Sequence, residues 1–139
     1  MKLTLKRIND KFAFETTNET GATVITDASP EIGGENKGLR PMELLASGLA
    51  SCASIDILLI LEKQRQIITD YSVEINAVRK TTVPAIFDQI ELKLVFFGEI
   101  NEKKAEKAAE LTFSKYCSVS KILEKTCTIN YTLSINPAS

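Results

Sequence analysis

Histidine and tryptophan are absent from this 139-residue chain, and cysteine is scarce, with only three residues. Without histidine, the chain has no imidazole-based serine or cysteine triad, no histidine-ligated metal and no histidine proton shuttle. The three thiols have no Cys-x-x-Cys spacing, so a zinc set is not indicated, and we predict neither a metal nor another cofactor. These absences leave a thiol role as the main chemical option.

The chain also lacks a large excess of charge, since 17 basic and 18 acidic residues give a net charge of -1. This balance indicates neither nucleic-acid binding nor attraction to an anionic membrane, and it leaves small neutral partners open. The length suits a single domain over residues 1–139. The first residues, MKLTLKRINDKF, alternate and carry charges, unlike the apolar run of a signal peptide, so we predict a cytoplasmic location.

The longest segment with one consistent period covers residues 41–66, and we interpret it as a single helix. Pro41 suits the first helical turn, and Glu43 lies near the positive end of the helix dipole. Apolar side chains surround almost the whole circumference between residues 44 and 61, so we expect the rest of the protein to cover this helix on most sides. Cys52 therefore lies inside a core helix.

The same helix has a membrane-spanning alternative, because about 18 consecutive residues with a single charge approach the length needed to cross a bilayer. Small and polar residues dilute its apolar character, among them Ser47, Gly48, Ser51 and Ser54. Asp56 would lie near the bilayer centre, where a carboxylate is costly. We therefore predict a soluble core helix and no membrane partner.

The remaining chain predicts an α+β fold with strands in antiparallel groups. Three short strands precede a glycine-containing loop at residues 30–40, which leads into the long helix. The segments after the long helix are predicted as two strands, two helices and a final strand, at residues 71–80, 86–100, 101–117, 118–125 and 127–136.

Residue type alone leaves two interpretations of Cys52 and Cys117. Free cysteine is among the most buried residue types, so each can be a small core residue. Alternatively they form a redox pair, but 65 positions separate them and only the fold can bring them together. We interpret Cys127 as a packing residue of the last strand.

The segment PMELLASGLASC followed by SIDI, with KYCSVSKIL later in the chain, resembles the OsmC/Ohr family of thiol-dependent hydroperoxide reductases. The resemblance covers residues 38–135 and includes AVRKTTVPAIFDQIELKLVFFG. It implies antiparallel sheets wrapped around a long central helix. It also implies an intertwined homodimer with two active sites at the subunit interface.

By this resemblance, Cys52 is the peroxidatic thiolate, Cys117 is the resolving thiol, the substrate is an organic hydroperoxide, and an external dithiol is the reductant. A cysteine in the middle of a helix gains little from the helix dipole, so a nearby cation must stabilise the thiolate. Arg79 matches the arginine that related sequences carry before the proline. Arg40, which precedes Pro41, is the other candidate.

The sequence Pro-Met-Glu-Leu departs from the better-studied members, in which an acid directly after the proline orients the arginine, and it resembles a divergent branch. Met42 cannot hold a guanidinium. Glu43 either takes that role or serves as a first-turn helix acid. Asp56 would disfavour a thiolate on Cys52 unless an arginine pairs with it. The alternative function is therefore a non-catalytic or weakly redox-active dimer that binds small molecules.

Overall fold

A computed structural model describes residues 1–138. These residues fall into two compact units, one formed by Met1–Leu45 and the other by the chain from Ala46 onward. Their nine α-helices and β-strands are β1 (Leu3–Arg7), β2 (Phe14–Asn18), β3 (Thr23–Thr26), α1 (Pro41–Lys63), β4 (Ile67–Arg79), β5 (Phe87–Glu99), α2 (Glu102–Leu111), α3 (Ser118–Leu123) and β6 (Thr128–Ile135). The α+β class is confirmed, while the single-domain assignment stays a prediction.

The first unit contains a three-stranded antiparallel sheet in the order β1-β2-β3. Leu3 pairs with Asn18 and Arg7 pairs with Phe14, so a tight connection between β1 and β2 sets the register. Thr26 at the end of β3 forms a bridge with Leu39, which brings the following loop back beside the sheet. The three amino-terminal strands predicted from alternation are confirmed.

The loop after β3 is organised around the buried carboxylate of Asp27. This carboxylate accepts hydrogen bonds from the backbone N–H groups of Ala28, Glu35 and Lys37 at 2.7, 3.0 and 3.1 Å. Burial acts to raise the pKa of Asp27, but these three donors and the charge of Arg40 outweigh it and leave the pKa below its ordinary value. The ionised side chain therefore holds the loop together.

Two glycines allow this loop to pack closely on its own unit. A Cβ atom on Gly34 would collide with the carbonyl group of Ala28, and one on Gly38 would collide with that of Ile25. Any larger residue at either position would push the backbone away. The glycines that predicted an irregular segment at residues 30–40 thus serve close packing.

Helix α1 begins as predicted, with Pro41 in its first turn, and local hydrogen bonds define both of its ends. At the start, Glu43 Oε1 accepts the backbone N–H of Arg40 at 2.7 Å, which is one half of a capping box. At the end, the N–H groups of Arg65 and Gln66 bond back to the carbonyls of Glu62 and Leu61 at 2.9 and 3.0 Å. Arg65 adopts a positive φ of 58°, so the helix closes in a Schellman motif after Lys63, three residues before its predicted end.

Helix α1 has a buried face and an uncovered face. The buried residues recur at helical spacing: Ala46, Leu49, Ala50, Ala53, Ile57 and Leu61. On the other side, Leu45, Ile55 and Leu59 are 42%, 59% and 48% exposed, and a Cβ atom on Gly48 would meet no neighbour within 4 Å. The prediction that the rest of the protein covers α1 on most sides is therefore wrong for a single chain, because only one face of the helix packs against other residues of that chain.

Helix α1 is long and apolar enough to cross a membrane by length and composition. Its buried face, however, packs within a mixed α+β unit: the Ser54 hydroxyl lies 3.0 Å from the Tyr71 hydroxyl on β4. The Tyr71 ring in turn contacts that of Phe96 on β5, with ring centroids 4.9 Å apart. This arrangement is typical of the core helix of a globular unit.

The second unit contains a three-stranded sheet in the order β4-β5-β6. Its central strand β5 supplies buried side chains at every second position, namely Ile90, Leu92, Leu94 and Phe96. Strands β4 and β5 form an antiparallel hairpin, whereas β6 pairs parallel to β5. The sheet is thus mixed rather than antiparallel throughout, because the long connection through α2 and α3 allows the chain to return in the same direction.

The connection between β5 and β6 begins with α2, whose N-cap Asn101 accepts the backbone N–H of Lys104 at 3.1 Å. Its buried side consists of Ala105, Ala108 and Ala109. A π-helical turn at Thr112–Tyr116 and the short helix α3 follow. One continuous helix was predicted up to residue 117, and the wider turn replaces its last part.

Candidate functional site

Cys52 lies at the boundary between the two faces of α1. Leu49 and Ala53 beside it are fully buried, whereas Ile55, three residues later, belongs to the uncovered face. The Cys52 side chain is itself half-buried and carries a free thiol. A thiol in this position is fixed by core packing and still accessible from the uncovered side.

Cys117 lies between the π-helical turn and α3 and is fully buried. Its backbone N–H donates to the carbonyl of Thr112 at 2.8 Å, which closes the turn. Its sulfur accepts the backbone N–H of Ser120 at 3.4 Å and so caps the start of α3. Backbone hydrogen bonds on both sides therefore fix the position of this thiol.

The second unit brings Cys52 and Cys117 together, although 65 positions separate them in the sequence. Burial raises the pKa of the Cys117 thiol to about 11. The neighbouring Cys52 side chain adds to this rise, and the backbone N–H groups of Ser120 and Val119 oppose it. Cys117 is thus a protonated thiol at neutral pH, next to a more exposed one.

The two candidate arginines both donate to nearby loop groups. In the first unit, the Arg40 guanidinium bonds to the Gly38 carbonyl at 3.3 Å and to the Asn36 side-chain oxygen. In the second unit, the exposed Arg79 donates from Nε to the Ala85 carbonyl at 2.7 Å.

Glu43 accepts the backbone N–H of Arg40 rather than its guanidinium, so its visible role is to cap α1.

Cys127 is half-buried just before β6, and its thiol donates to the Leu123 carbonyl at 3.2 Å. Burial and then the charge of Asp88 raise the pKa of Cys127. These contacts agree with a packing role for Cys127. Within residues 1–138, no group of three or more potential metal ligands forms a cluster.

A groove of about 450 Å³ lies along the second half of α1 and includes two residues that sequence reasoning did not place in a site, Lys63 and Tyr116. Asp56, which the sequence did indicate, lines the same groove. The sequence signal that could have identified Tyr116 was its position directly before Cys117. The charge of Lys63 at the end of α1 gave no indication of a groove.

Comparison with known proteins gives one consistent result. Residues 34–132 match the family described as OsmC-like protein. Protein YhfA of Escherichia coli (strain K12) is 31% identical over 101 residues, which cover 72% of this chain and 75% of that protein.

Solved structures share the fold over nearly the whole length. A protein of Aquifex aeolicus VF5 has a TM-score of 0.80 and 30% identity, with 98% of this chain and 97% of that chain covered. An organic hydroperoxide resistance protein OsmC of Legionella pneumophila has a TM-score of 0.70 and 19% identity, with 96% and 97% covered.

Proposed function

Since the chain belongs to the OsmC-like family, we propose that it is a thiol-dependent peroxidase that reduces organic hydroperoxides. The observation that carries this proposal is the proximity of Cys52 and Cys117, one half-exposed and the other buried. Structural neighbours named organic hydroperoxide resistance proteins support the substrate class. Apolar side chains along α1 also favour organic over inorganic hydroperoxides.

In the first step, the Cys52 thiolate attacks one oxygen of the hydroperoxide and the O–O bond breaks. The second oxygen leaves as an alkoxide, which takes up a proton and departs as the alcohol. Cys52 is oxidised to a sulfenic acid by two electrons. Its half-exposed position at the edge of the uncovered face gives the peroxide access to the sulfur.

In the second step, the Cys117 sulfur attacks the sulfenic sulfur, a disulfide forms, and hydroxide leaves with the Cys117 proton as water. The raised pKa keeps that proton on Cys117 until the first step is complete. Once Cys52 is a neutral sulfenic acid, its electrostatic contribution to this raised pKa is lost. An external dithiol then returns two electrons and restores both thiols.

A cation must favour the thiolate on Cys52, and we propose Arg79 or Arg40 for this role. Glu43 contributes by fixing the start of α1 next to Arg40. To identify the arginine that activates Cys52, each one is replaced in turn by glutamine. The activating arginine is the one whose replacement slows the first step. If both variants react with hydroperoxide as fast as the unchanged chain, neither arginine has the role.

We propose that a second copy of the chain covers the uncovered face of α1 and completes the site. Exposed Leu45, Ile55 and Leu59 would otherwise leave an apolar strip in water. Sedimentation should therefore give about 30 kDa, twice the 15.3 kDa of one chain. A stable monomer would contradict the shared site.

A reducing cytoplasm is the compartment that suits free thiols.

Rapid mixing of the reduced protein with cumene hydroperoxide tests the function. We expect one fast step that removes the Cys52 and Cys117 thiols together. Cys52→Ser should abolish it, whereas Cys117→Ser should stop at a sulfenic acid that dimedone traps on Cys52. Cys127→Ser is the matched control and should react like the unchanged chain.

The rival function, a binding dimer with slow thiols, is favoured by one observation. Both candidate arginines already donate to backbone carbonyls, at 3.3 Å for Arg40 and 2.7 Å for Arg79. Oxidation no faster than that of free cysteine would support this rival, and a fast step retained in Cys52→Ser would remove the catalytic assignment.

A further inference from the structure

Helix α3 begins at a hydrogen bond to the buried sulfur of Cys117. The Ser120 backbone N–H donates to this sulfur at 3.4 Å, and the Lys121 N–H donates to the Cys117 carbonyl at 3.1 Å. Cys117 is thus the N-cap of α3, a place that serine, threonine, asparagine or aspartate usually takes. The start of this helix therefore depends on a side chain that can also form a covalent bond.

Helix α3 is short enough for its cap to affect its stability. It has six residues, Ser118–Leu123, and it buries Ser120 and Leu123. A helix of this length is unstable in isolation, so it depends on its packing and on the contacts at its ends. The ion pair between Lys121 and Glu124 is nearly half exposed and adds little. Loss of the cap should therefore make local opening of α3 more frequent.

Disulfide formation and helix capping compete for the Cys117 sulfur. A disulfide joins two sulfurs at about 2.05 Å, well inside the contact distance of nonbonded atoms, so the sulfurs of Cys52 and Cys117 must approach each other. Cys52 lies in the interior of α1 beside the fully buried Leu49 and Ala53, whereas Cys117 joins two short segments. The shift therefore falls mainly on Cys117. Its sulfur is a weak acceptor in a hydrogen bond that is already 3.4 Å long, so a movement of about 1 Å breaks that bond.

We propose that the Cys117 cap is redox-sensitive: the disulfide with Cys52 withdraws the sulfur from the Ser120 N–H, and α3 opens more often in the oxidised chain than in the reduced one. The inference deepens the proposed function and rests on it in taking Cys52 and Cys117 as the pair that becomes oxidised. The Cys117 sulfur is fully buried while both thiols are reduced. Because α3 starts at this residue, its opening uncovers the sulfur for the external dithiol in the state that needs reduction.

Amide hydrogen exchange followed by NMR tests this proposal at single residues, and diamide oxidises the protein without any peroxide. The two thiols give up two electrons and two protons, an S–S bond forms, and the N=N bond of diamide becomes a single bond. Peptide mass spectrometry identifies the Cys52–Cys117 link, and a non-reducing gel shows that it lies within one chain. Cys127→Ser excludes pairing with the third thiol. If that variant does not fold, the unchanged chain is used and peptide mapping selects the sample with the required link.

Oxidation should raise the exchange rate of the Ser120 amide by about fivefold, the size expected for the loss of an N-cap. Cys117 is not adjacent to this amide, so its oxidation leaves the intrinsic exchange rate of Ser120 unchanged. The internal reference is the Lys104 amide of α2, which donates to the N-cap Asn101 at 3.1 Å and should not exchange faster after oxidation.

Cys52→Ser is the matched control variant. It keeps Cys117 as the cap of α3 but cannot form the disulfide. Treatment with diamide should therefore leave its Ser120 exchange rate unchanged.

Equal or slower Ser120 exchange in the oxidised chain would overturn the proposal, as would an equal rise at Lys104, which indicates general loosening instead. Failure of diamide to link Cys52 and Cys117 would overturn it as well. Slow oxidation by cumene hydroperoxide together with faster Ser120 exchange after diamide would refute the peroxidase and leave the redox-sensitive cap intact. Fast oxidation by the peroxide with unchanged Ser120 exchange would refute the cap alone.

Discussion

Raising the pH from about 8 to about 11 should destabilise the protein through the buried thiol of Cys117. This side chain is 0% exposed, and burial raises its pKa from an ordinary value of 9.0 to about 11. The folded state therefore keeps the thiol proton over a pH range in which the unfolded state loses it. The stabilising contribution is present below pH 9.0 and is lost as the pH rises toward the folded value.

The size of the effect follows from the same two values. A rise from 9.0 to about 11 corresponds to about 2.7 kcal/mol. The value of about 11 already includes the effect of the Ser120 N–H, so it is relaxation around the new thiolate that reduces the loss further. We therefore expect a decrease in the free energy of unfolding on the order of 2 kcal/mol.

Urea unfolding followed by circular dichroism, at a series of pH values with a non-thiol reductant, measures this decrease. Cys117→Ser is the reference, since a serine hydroxyl does not ionise in this range and still accepts the Ser120 N–H. Tyr71 and Tyr131, whose pKa values burial also raises, ionise in both proteins and cancel in the difference. Parallel stability curves for the two proteins would refute the reasoning.

Three further changes should alter stability. Asp27→Asn should destabilise the loop at pH 7. It should also make the stability of the protein less sensitive to acid, because the pKa of Asp27 is lowered and the stabilising contribution of its carboxylate is lost as the pH falls through that pKa. Thermal unfolding at neutral and at acidic pH tests this. Glu43→Ala should cost about 1 kcal/mol in urea unfolding, whereas Glu43→Gln, which can still accept the Arg40 N–H, should cost less. Ile57→Ala should cost about 2–5 kcal/mol in the same assay, because it leaves a cavity under α1.

Local signals in the sequence predicted where α1 begins but not where it ends. Proline and an acid in the first turn are recognisable because their effect depends only on neighbouring residues. The end depends on Arg65 in a left-handed conformation, at φ 58°. Glycine or asparagine is the usual signal for that conformation, so an arginine there gave no warning.

The strands were predicted by alternation, but the direction of their pairing was not. Alternation at residues 128–135 indicates that one face of β6 is less exposed than the other, and this holds for parallel and for antiparallel pairing. The parallel pairing of Gln89–Phe96 with β6 depends on the path of the chain through α2 and α3. That path is a long-range property, which periodicity does not encode.

The site was predictable only in part. Neither the separation of 65 positions nor residue type shows that Cys52 and Cys117 meet, and the motif resemblance supplied that expectation. The position of Cys117 depends on the wider π-helical turn before it, which shifts the chain relative to a regular helix. No local pattern in TFSKY predicts such a turn.

The apolar character of α1 on all sides explains why its sequence did not reveal the placement of Cys52. Residues that pack inside the chain and residues that remain uncovered are both aliphatic, as Ile57 and Ile55 show with exposures of 0% and 59%. Composition therefore cannot separate the two faces, and the boundary between them is invisible before folding. Cys52 lies on that boundary, where core packing restrains the sulfur on one side. The other side stays accessible in a single chain, so one helix both holds the thiol in place and leaves it partly exposed.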